Sequence, residues 1–371
     1  MMLTSRVRLD RIASSTRNAH LTPDVIVGDE IISAEGYLLA VRILADKASY
    51  NVVEDPTGRM VTLRAGDILA GTLGSRRALR GYAGEVPSTL AVGDTIDVLN
   101  LGGILGRCIS VNPDIGPPFQ AEVLGAILAF PDLGDRIGRP ATIRDHAVPI
   151  ADAIETPVPV VYVAGTCMNS GKTVAATELV RGLTRAGYRV GAVKLTGVSL
   201  MRDTLSMMDA GAVAALTFND AGAASTHAGM TVPVARGLIN RLTATKGVGA
   251  GQRPDVLLAE LGDGILGEYG VQDILRAPDL MGLAAAHIVA APDPVGCWGA
   301  RELFQQAYGL PITAITGPAT DNAVGRDYIT AQLGVPSANA RREPEALTRI
   351  VLDALEAWRP PSSSPTSEAL G

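Results

Sequence analysis

The segment Gly165-Thr166-Cys167-Met168-Asn169-Ser170-Gly171-Lys172-Thr173 constrains the chain more than any other. It follows a continuous apolar run, 160–164, and opens a stretch with helical spacing, 172–186, that stops at Gly187. An unbroken apolar run suits a strand buried on both faces, and glycine suits the position just past a helix end. In a strand–loop–helix of this kind, the N–H groups of the loop and of the helix start point at an anion. Lys172 is then placed to bridge the β- and γ-phosphates of a nucleotide, and the Thr173 hydroxyl to ligate Mg²⁺. Gly165, Thr166, Asn169, Ser170 and Gly171 complete the expected cradle.

Strands and helices alternate through the rest of this region. Further strands are predicted at 189–195, 255–261, 287–291 and 311–316, and helices at 271–283, 299–308, 323–333 and 343–358. Alternation of this kind implies βαβ units and a parallel sheet flanked by helices, an α/β fold. Ligands in such sheets sit at the carboxyl ends of the strands. Lys194 ends the second strand there, and a lysine in a buried strand needs an anionic partner or a route to water. Glu260 ends the strand in Asp255-Val256-Leu257-Leu258-Ala259-Glu260-Leu261-Gly262-Asp263-Gly264, the place of a metal-binding carboxylate, with Asp263 as an assistant. Two acids, Asp203 and Asp209, follow the second strand. They stand six residues apart, so one helix cannot present both to one site, and Asp203 is nearer the strand end. Gly262 to Gly267 also matches G-x-G-x-x-G, which on its own is a weak signal for a dinucleotide.

The first part of the chain reads differently. Gly28-Asp29, Gly66-Asp67 and Gly93-Asp94 are turn signals, each preceding a short apolar run at 30–32, 68–70 and 95–99. Many short strands with repeated turns indicate a small barrel or sandwich, so residues 1–115 are expected to form a smaller, mostly β domain. Residues 116–158 read as a proline-punctuated bridge holding one short helix near 121–130. The α/β domain spans 159–358, and 359–371 is expected to be a disordered tail. Arg6, Arg8, Arg11 and Arg17 faintly resemble a transit segment, but Val7 and Leu9 alternate with charged neighbours as a first strand does. Arg76, Arg77 and Arg80 form either an anion clamp or a solvated basic loop. Cys167 lies where a helix start lowers a thiol pKa; His227 and His287 read as structural.

Composition narrows the function. The 371 residues carry a net charge of −6 and only 4% aromatics, which excludes a broad basic face or a stacking platform for nucleic acid. No apolar run approaches the ~20 residues of a membrane span. Three scattered cysteines give neither a disulfide framework nor a zinc cluster, so a reducing, cytoplasmic setting is expected.

Five residues separate Gly165 from Gly171, one more than in the usual phosphate loop. This longer form, followed by Ala186-Gly187-Tyr188-Arg189-Val190-Gly191-Ala192-Val193-Lys194, resembles P-loop enzymes of the dethiobiotin synthetase and cobyrinic acid a,c-diamide synthase type. The likeness covers roughly residues 159–339. It implies bound ATP and Mg²⁺, with Thr173, Glu260 and Asp203 around the metal. It implies catalytic roles for Lys172 and Lys194, the latter contacting substrate and reacting phosphate. The family's base-reading asparagine has no counterpart after the 311–316 strand, where Gly317-Pro318-Ala319-Thr320 follows. The resulting expectation is ATP-dependent phosphoryl transfer, as a kinase or ligase, to a small carboxylate- or amine-containing molecule by a homodimer that binds neither nucleic acid nor membrane. The alternatives are an N-acyltransferase whose loop holds acyl-CoA phosphates, by likeness to a second family of similar architecture, and a nucleotide-gated binding protein.

Overall fold

The computed structural model describes residues 3–132, 134, 137–244 and 253–360. From residue 361 onward, the expected tail lies outside them.

The α/β region is built on a six-stranded, all-parallel sheet in the order Ala214–Thr217, Val190–Thr196, Val256–Leu261, Val160–Gly165, Ala284–Ala290, Ala314–Thr316. Every residue of the three central strands is buried, the reason they read as unbroken apolar runs. Helix α1 (Lys172–Arg185) lays Ala175, Ala176, Leu179, Val180 and Leu183 on one face of the sheet, at the spacing of a helical stripe. It ends before Gly187, whose φ of 95° only glycine adopts readily. Helices α2 (Arg202–Asp209), α3 (Thr231–Thr243), α4 (Val271–Arg276), α5 (Pro278–Met281), α6 (Pro294–Glu302), α7 (Ala323–Leu333) and α8 (Pro344–Ala357) complete the layers. The helix expected over 271–283 is two short ones, because Pro278 disfavours helical backbone at Ala277, which sits at ψ 109°. Helices α2 and α3 and the edge strand Ala214–Thr217 are not among the elements expected from the sequence.

In the N-terminal region, five strands close a ring. Phe119–Ala129 pairs with Leu38–Ile43, which pairs with Ile68–Leu73, then Ile104–Ser110, then Thr95–Val98, which returns to Phe119–Ala129. A closed ring leaves few sheet edges exposed, and Leu39, Val41, Leu69, Leu105, Ile96 and Phe119 share its core. Gly66 and Gly93 take φ of 89° and 90° in the turns the sequence signalled. Residues 30–32 form no strand; the chain is already turning toward Gly36, at φ 89°.

The helix expected near 121–130 is instead the strand Phe119–Ala129. Phe119, Ala121 and Val123 are buried while Gln120, Glu122 and Leu124 are less so, the two-residue period of a strand. Partners on both sides override the helical propensity of its Ala and Leu content. The β sheet therefore continues past residue 115 to the short strand Arg139–Pro140.

Buried and partly buried contacts join the two regions. Arg17 pairs with Asp220 at 2.7 Å, Asn18 donates to the Asn219 carbonyl at 2.6 Å, and Asn100 donates to the Ser199 carbonyl at 2.7 Å. Barrel and α/β sheet thus face one another across the carboxyl ends of the central strands.

Candidate functional site

Three adjacent strands deliver the expected residues to one place. The strand Val160–Gly165 ends in the glycine-bounded loop, Val190–Thr196 carries Lys194, and Val256–Leu261 carries Glu260. A Cβ at Gly165 would lie 2.3 Å from Ser170 Oγ and 2.7 Å from Lys172 Cγ, so only glycine lets the loop fold back on itself. Asn169 and Gly171 adopt left-handed backbone, φ 60° and 101°. Helix α1 begins with no side-chain cap and no acid in its first turn, so its terminal N–H groups and positive dipole end stay open to an anion. The hydroxyls of Thr166 and Ser170 are buried without a hydrogen-bond partner, and orphaned polar atoms beside such a loop call for a ligand or ordered water.

Thr173 Oγ1 lies 3.1 Å from Asp203 Oδ1 and 3.2 Å from Glu260 Oε1. The hydroxyl and both carboxylates, the set the sequence proposed for a metal, therefore converge, and Glu260 Oε2 has no partner of its own. Asp209 is exposed at the far end of α2. Lys172, 7% exposed, donates to the carbonyls of Cys167, at 2.8 Å, and Asp263. Both acceptors are neutral main-chain oxygens, one in the loop and one just after the strand Val256–Leu261. Burial pushes its pKa down, against the pull of Glu260 and Asp263.

Lys194 and Asp203 form a buried ion pair. Burial disfavours the Lys194 ammonium, but Asp203 and Glu260 outweigh it and hold its pKa above the ordinary lysine value. Burial opposes the Asp203 carboxylate too, and the Lys194 charge overrides it, keeping that pKa low. Glu260 goes the other way, pushed up to about 7 by burial and then by the Asp203 charge. A cation beside Asp203 and Glu260 would reverse this. Two carboxylates and a hydroxyl are hard oxygen donors that suit Mg²⁺ completed by phosphate oxygens and water. Among the described residues no group of three or more His, Cys, Asp or Glu is arranged to hold a metal by itself.

Gly262 and Gly264 belong to the same site. Cβ atoms there would lie 2.2 Å from the Thr196 carbonyl and 2.8 Å from that of Thr166. The glycines of the G-x-G-x-x-G match thus let the turn through Asp263, at φ 68°, pack against the loop. Cys167 contributes its carbonyl to Lys172. His227 is exposed, and His287 is buried beside Tyr162 and Phe304.

A cavity of about 370 Å³ opens over these groups. Its floor is the loop with Lys172, Lys194, Asp203, Glu260 and Asp263, and its roof is barrel residues Tyr50, Arg76, Arg80 and Asn100. Of the three arginines singled out, Arg76 and Arg80 face the cavity, while Arg77 lies outward near Glu85 and Glu268. Sequence reasoning missed Tyr50 and Asn100, which carry no local motif. A smaller cavity lies on the other side of the loop, lined by Asn169, Gly171, Gly317, Asp321, Asn339 and Arg341. Asn339, 2% exposed, is fixed there by Asp321 at 2.9 Å and by the N–H groups of Arg341 and Arg342, each at 3.0 Å.

Comparison with protein-family models and with curated proteins gives no match. Among solved structures, a DUF1611 family protein from Anabaena variabilis is 15% identical over 58% of this chain, with a TM-score of 0.39. This chain covers 64% of that one, less than two thirds of its length. Chloroplast FtsY from Physcomitrella patens is 14% identical over 57% of this chain and 70% of its own, TM-score 0.37. HypB from Helicobacter pylori, solved in complex with nickel, is 16% identical over 56% and 92%, TM-score 0.36. Likenesses this slight carry no argument about activity; the α/β architecture rests on the parallel sheet and its helices. No helix among the described residues is long and apolar enough to cross a membrane.

Proposed function

We propose that the chain binds ATP with Mg²⁺ at the loop Gly165–Thr173 and transfers the γ-phosphoryl group to a small carboxylate- or amine-containing acceptor, as a kinase or as the activating half of a ligase. The observation that carries this reading is the convergence of Asp203 and Glu260 on Thr173 Oγ1, at 3.1 and 3.2 Å, directly after Lys172. A loop that held only the phosphates of coenzyme A needs N–H donors and a lysine but no paired carboxylates.

In this reading the loop N–H groups and the start of α1 hold the phosphates. Lys172 moves from its carbonyl partners onto the β- and γ-phosphate oxygens, exchanging neutral acceptors for charged ones. Thr173, Asp203 and Glu260 would hold Mg²⁺, which would neutralise charge on the transferring group. Catalysis is then positioning plus electrostatics. Lys194 keeps Asp203 ionised and aimed at Thr173. The smaller cavity takes the base, with the Asp321 carboxylate as acceptor for a base amino group. The resemblance to dethiobiotin synthetases supports ATP; an acidic acceptor at Asp321 serves adenine or guanine.

The test is a thermal-shift and turnover panel with MgATP, MgGTP and acetyl-CoA on the native chain and Lys172→Ala. MgATP is expected to raise Tm in the native chain and to leave the variant unchanged. ADP is expected to form when an acceptor is present. Thiol release from acetyl-CoA, with no nucleotide diphosphate formed, would replace this reading with acyl transfer. A shift with MgGTP alone would move the base preference to guanine.

A further inference from the structure

The cavity between barrel and sheet holds more positive charge than its own acids neutralise. Arg76, Arg80, Lys172, Lys194 and Arg202 line it against Asp203, Glu260 and Asp263. The floor cations are accounted for: Lys194 is paired with Asp203, and Lys172 rests on loop carbonyls beside Glu260 and Asp263. Arg202 also reaches Asp203, at 3.9 Å. The roof differs. Arg76 is 4% exposed, and no carboxylate lies within 4.0 Å of its guanidinium among the described residues. One of its nitrogens, Nη1, donates to the Leu99 carbonyl and to Tyr50 Oη at 3.1 Å, while Nε is buried with no partner. Tyr50 and Tyr82 each present a ring 5.9 Å from the guanidinium carbon. A guanidinium held by Leu99 and Tyr50, flanked by rings and lining a cavity with no carboxylate in ion-pair contact, is a preformed anion seat. Asp263 on the cavity floor feels the Arg76 charge without pairing with it directly, and a bound carboxylate would give the guanidinium charge-assisted hydrogen bonds. Arg80, exposed at the cavity rim, adds a second guanidinium.

We propose that Arg76 and Arg80 anchor a carboxylate of the acceptor, so that the substrate is a small acid bearing a carboxylate beyond the group that reacts. This rests on the phosphoryl-transfer reading and deepens it. It also moves the acceptor's anchor from Lys194, where the resemblance put it, because the Lys194 ammonium is already engaged by Asp203. The substrate then spans the cleft, its carboxylate on the barrel roof and its reacting group toward the loop.

The experiment measures binding of succinate, glutarate, acetate and inorganic phosphate to the full chain by calorimetry. It is run without nucleotide, on the native protein, Arg80→Gln and Arg76→Gln, with the MgATP thermal shift recorded in parallel. Succinate or glutarate is expected to bind, at least tenfold more weakly in Arg80→Gln and not detectably in Arg76→Gln, with the MgATP shift retained in both. Arg80 is exposed, so its variant decides the matter if Arg76→Gln does not fold. Dicarboxylate affinity unchanged in Arg80→Gln, or phosphate binding with no carboxylate binding, would overturn the proposal. Arginine-dependent carboxylate binding in a protein that shows no MgATP shift would leave the anchor standing and overturn the ATP reading alone.

Discussion

The carboxylate of Glu54, on the strand Val52–Glu54 that pairs with Met60–Thr62 outside the five-strand ring, accepts the backbone N–H of Arg202 at 2.9 Å, across 148 residues of sequence. It also accepts the Met201 N–H at 2.7 Å and the Ser14 hydroxyl at 2.5 Å, and it is fully buried. Helix α2 has no cap from its own segment, so this N-terminal hairpin supplies it, one residue before Asp203. An acid at a helix N-terminus also meets the positive end of the helix dipole. The β region thus does more than roof the cavity; it holds in place the helix that aims Asp203 at Thr173 and Lys194.

Glu54→Ala is expected to destabilise the protein by about 2–3 kcal/mol, because buried N–H donors and a hydroxyl lose their acceptor. It should also raise the Mg²⁺ concentration needed for nucleotide binding. Urea denaturation and a Mg²⁺ titration check both; a loss below ~0.5 kcal/mol would show that α2 does not depend on the hairpin.

Removing one member of the Lys194–Asp203 pair leaves a buried charge alone. Lys194→Met is expected to cost about 3–5 kcal/mol, and Lys194→Met with Asp203→Leu to recover much of it. The double variant should still fail to bind MgATP. A double variant no more stable than the single one would contradict the pairing as the source of the loss.

Glu260→Gln keeps the shape of the site and removes a charge that burial disfavours, so stability should hold or rise slightly. Mg²⁺-dependent nucleotide binding is expected to weaken by at least about tenfold. Unchanged Mg²⁺ dependence would remove Glu260 from the metal site.

Gly165→Ala places a methyl group where Ser170 Oγ and Lys172 Cγ already are. The expected result is a destabilisation of about 1–3 kcal/mol together with loss of the MgATP shift. A crystal structure of the variant with the loop unmoved would refute this.

His287 is buried against Tyr162 and Phe304, at ring distances of 6.0 and 5.7 Å, and burial lowers its pKa from 6.5 to about 4. The unfolded chain therefore binds a proton between pH 6.5 and 4 that the folded chain does not. This contribution to stability is present in full above pH 6.5 and is lost as pH falls, by about 3 kcal/mol at pH 4. His287→Phe keeps the ring contacts and should flatten stability over that window. Parallel curves for variant and native protein from pH 7 to pH 4 would show that His287 does not carry the dependence.

The sequence alone determined the local units. The Val160–Gly165 strand, the loop and α1 are contiguous, and a buried strand, a tight glycine loop and an amphipathic helix each follow from residues a few positions apart. α7 and α8 were legible for the same reason. Lys194 and Glu260 stood out because a charged residue closing an apolar strand is conspicuous. Tertiary structure decided what distant residues share. Residues 119–129 have an ambiguous Ala- and Leu-rich pattern, and strand pairing on both sides made them the seam of the barrel. Glu54 has no motif; only the fold carries it to the start of α2. Arg76 reads as part of either an anion clamp or a solvated basic loop until the fold buries it over the cavity. Periodicity and turn chemistry act between neighbours in sequence, whereas ion pairing, burial and helix capping act between neighbours in space.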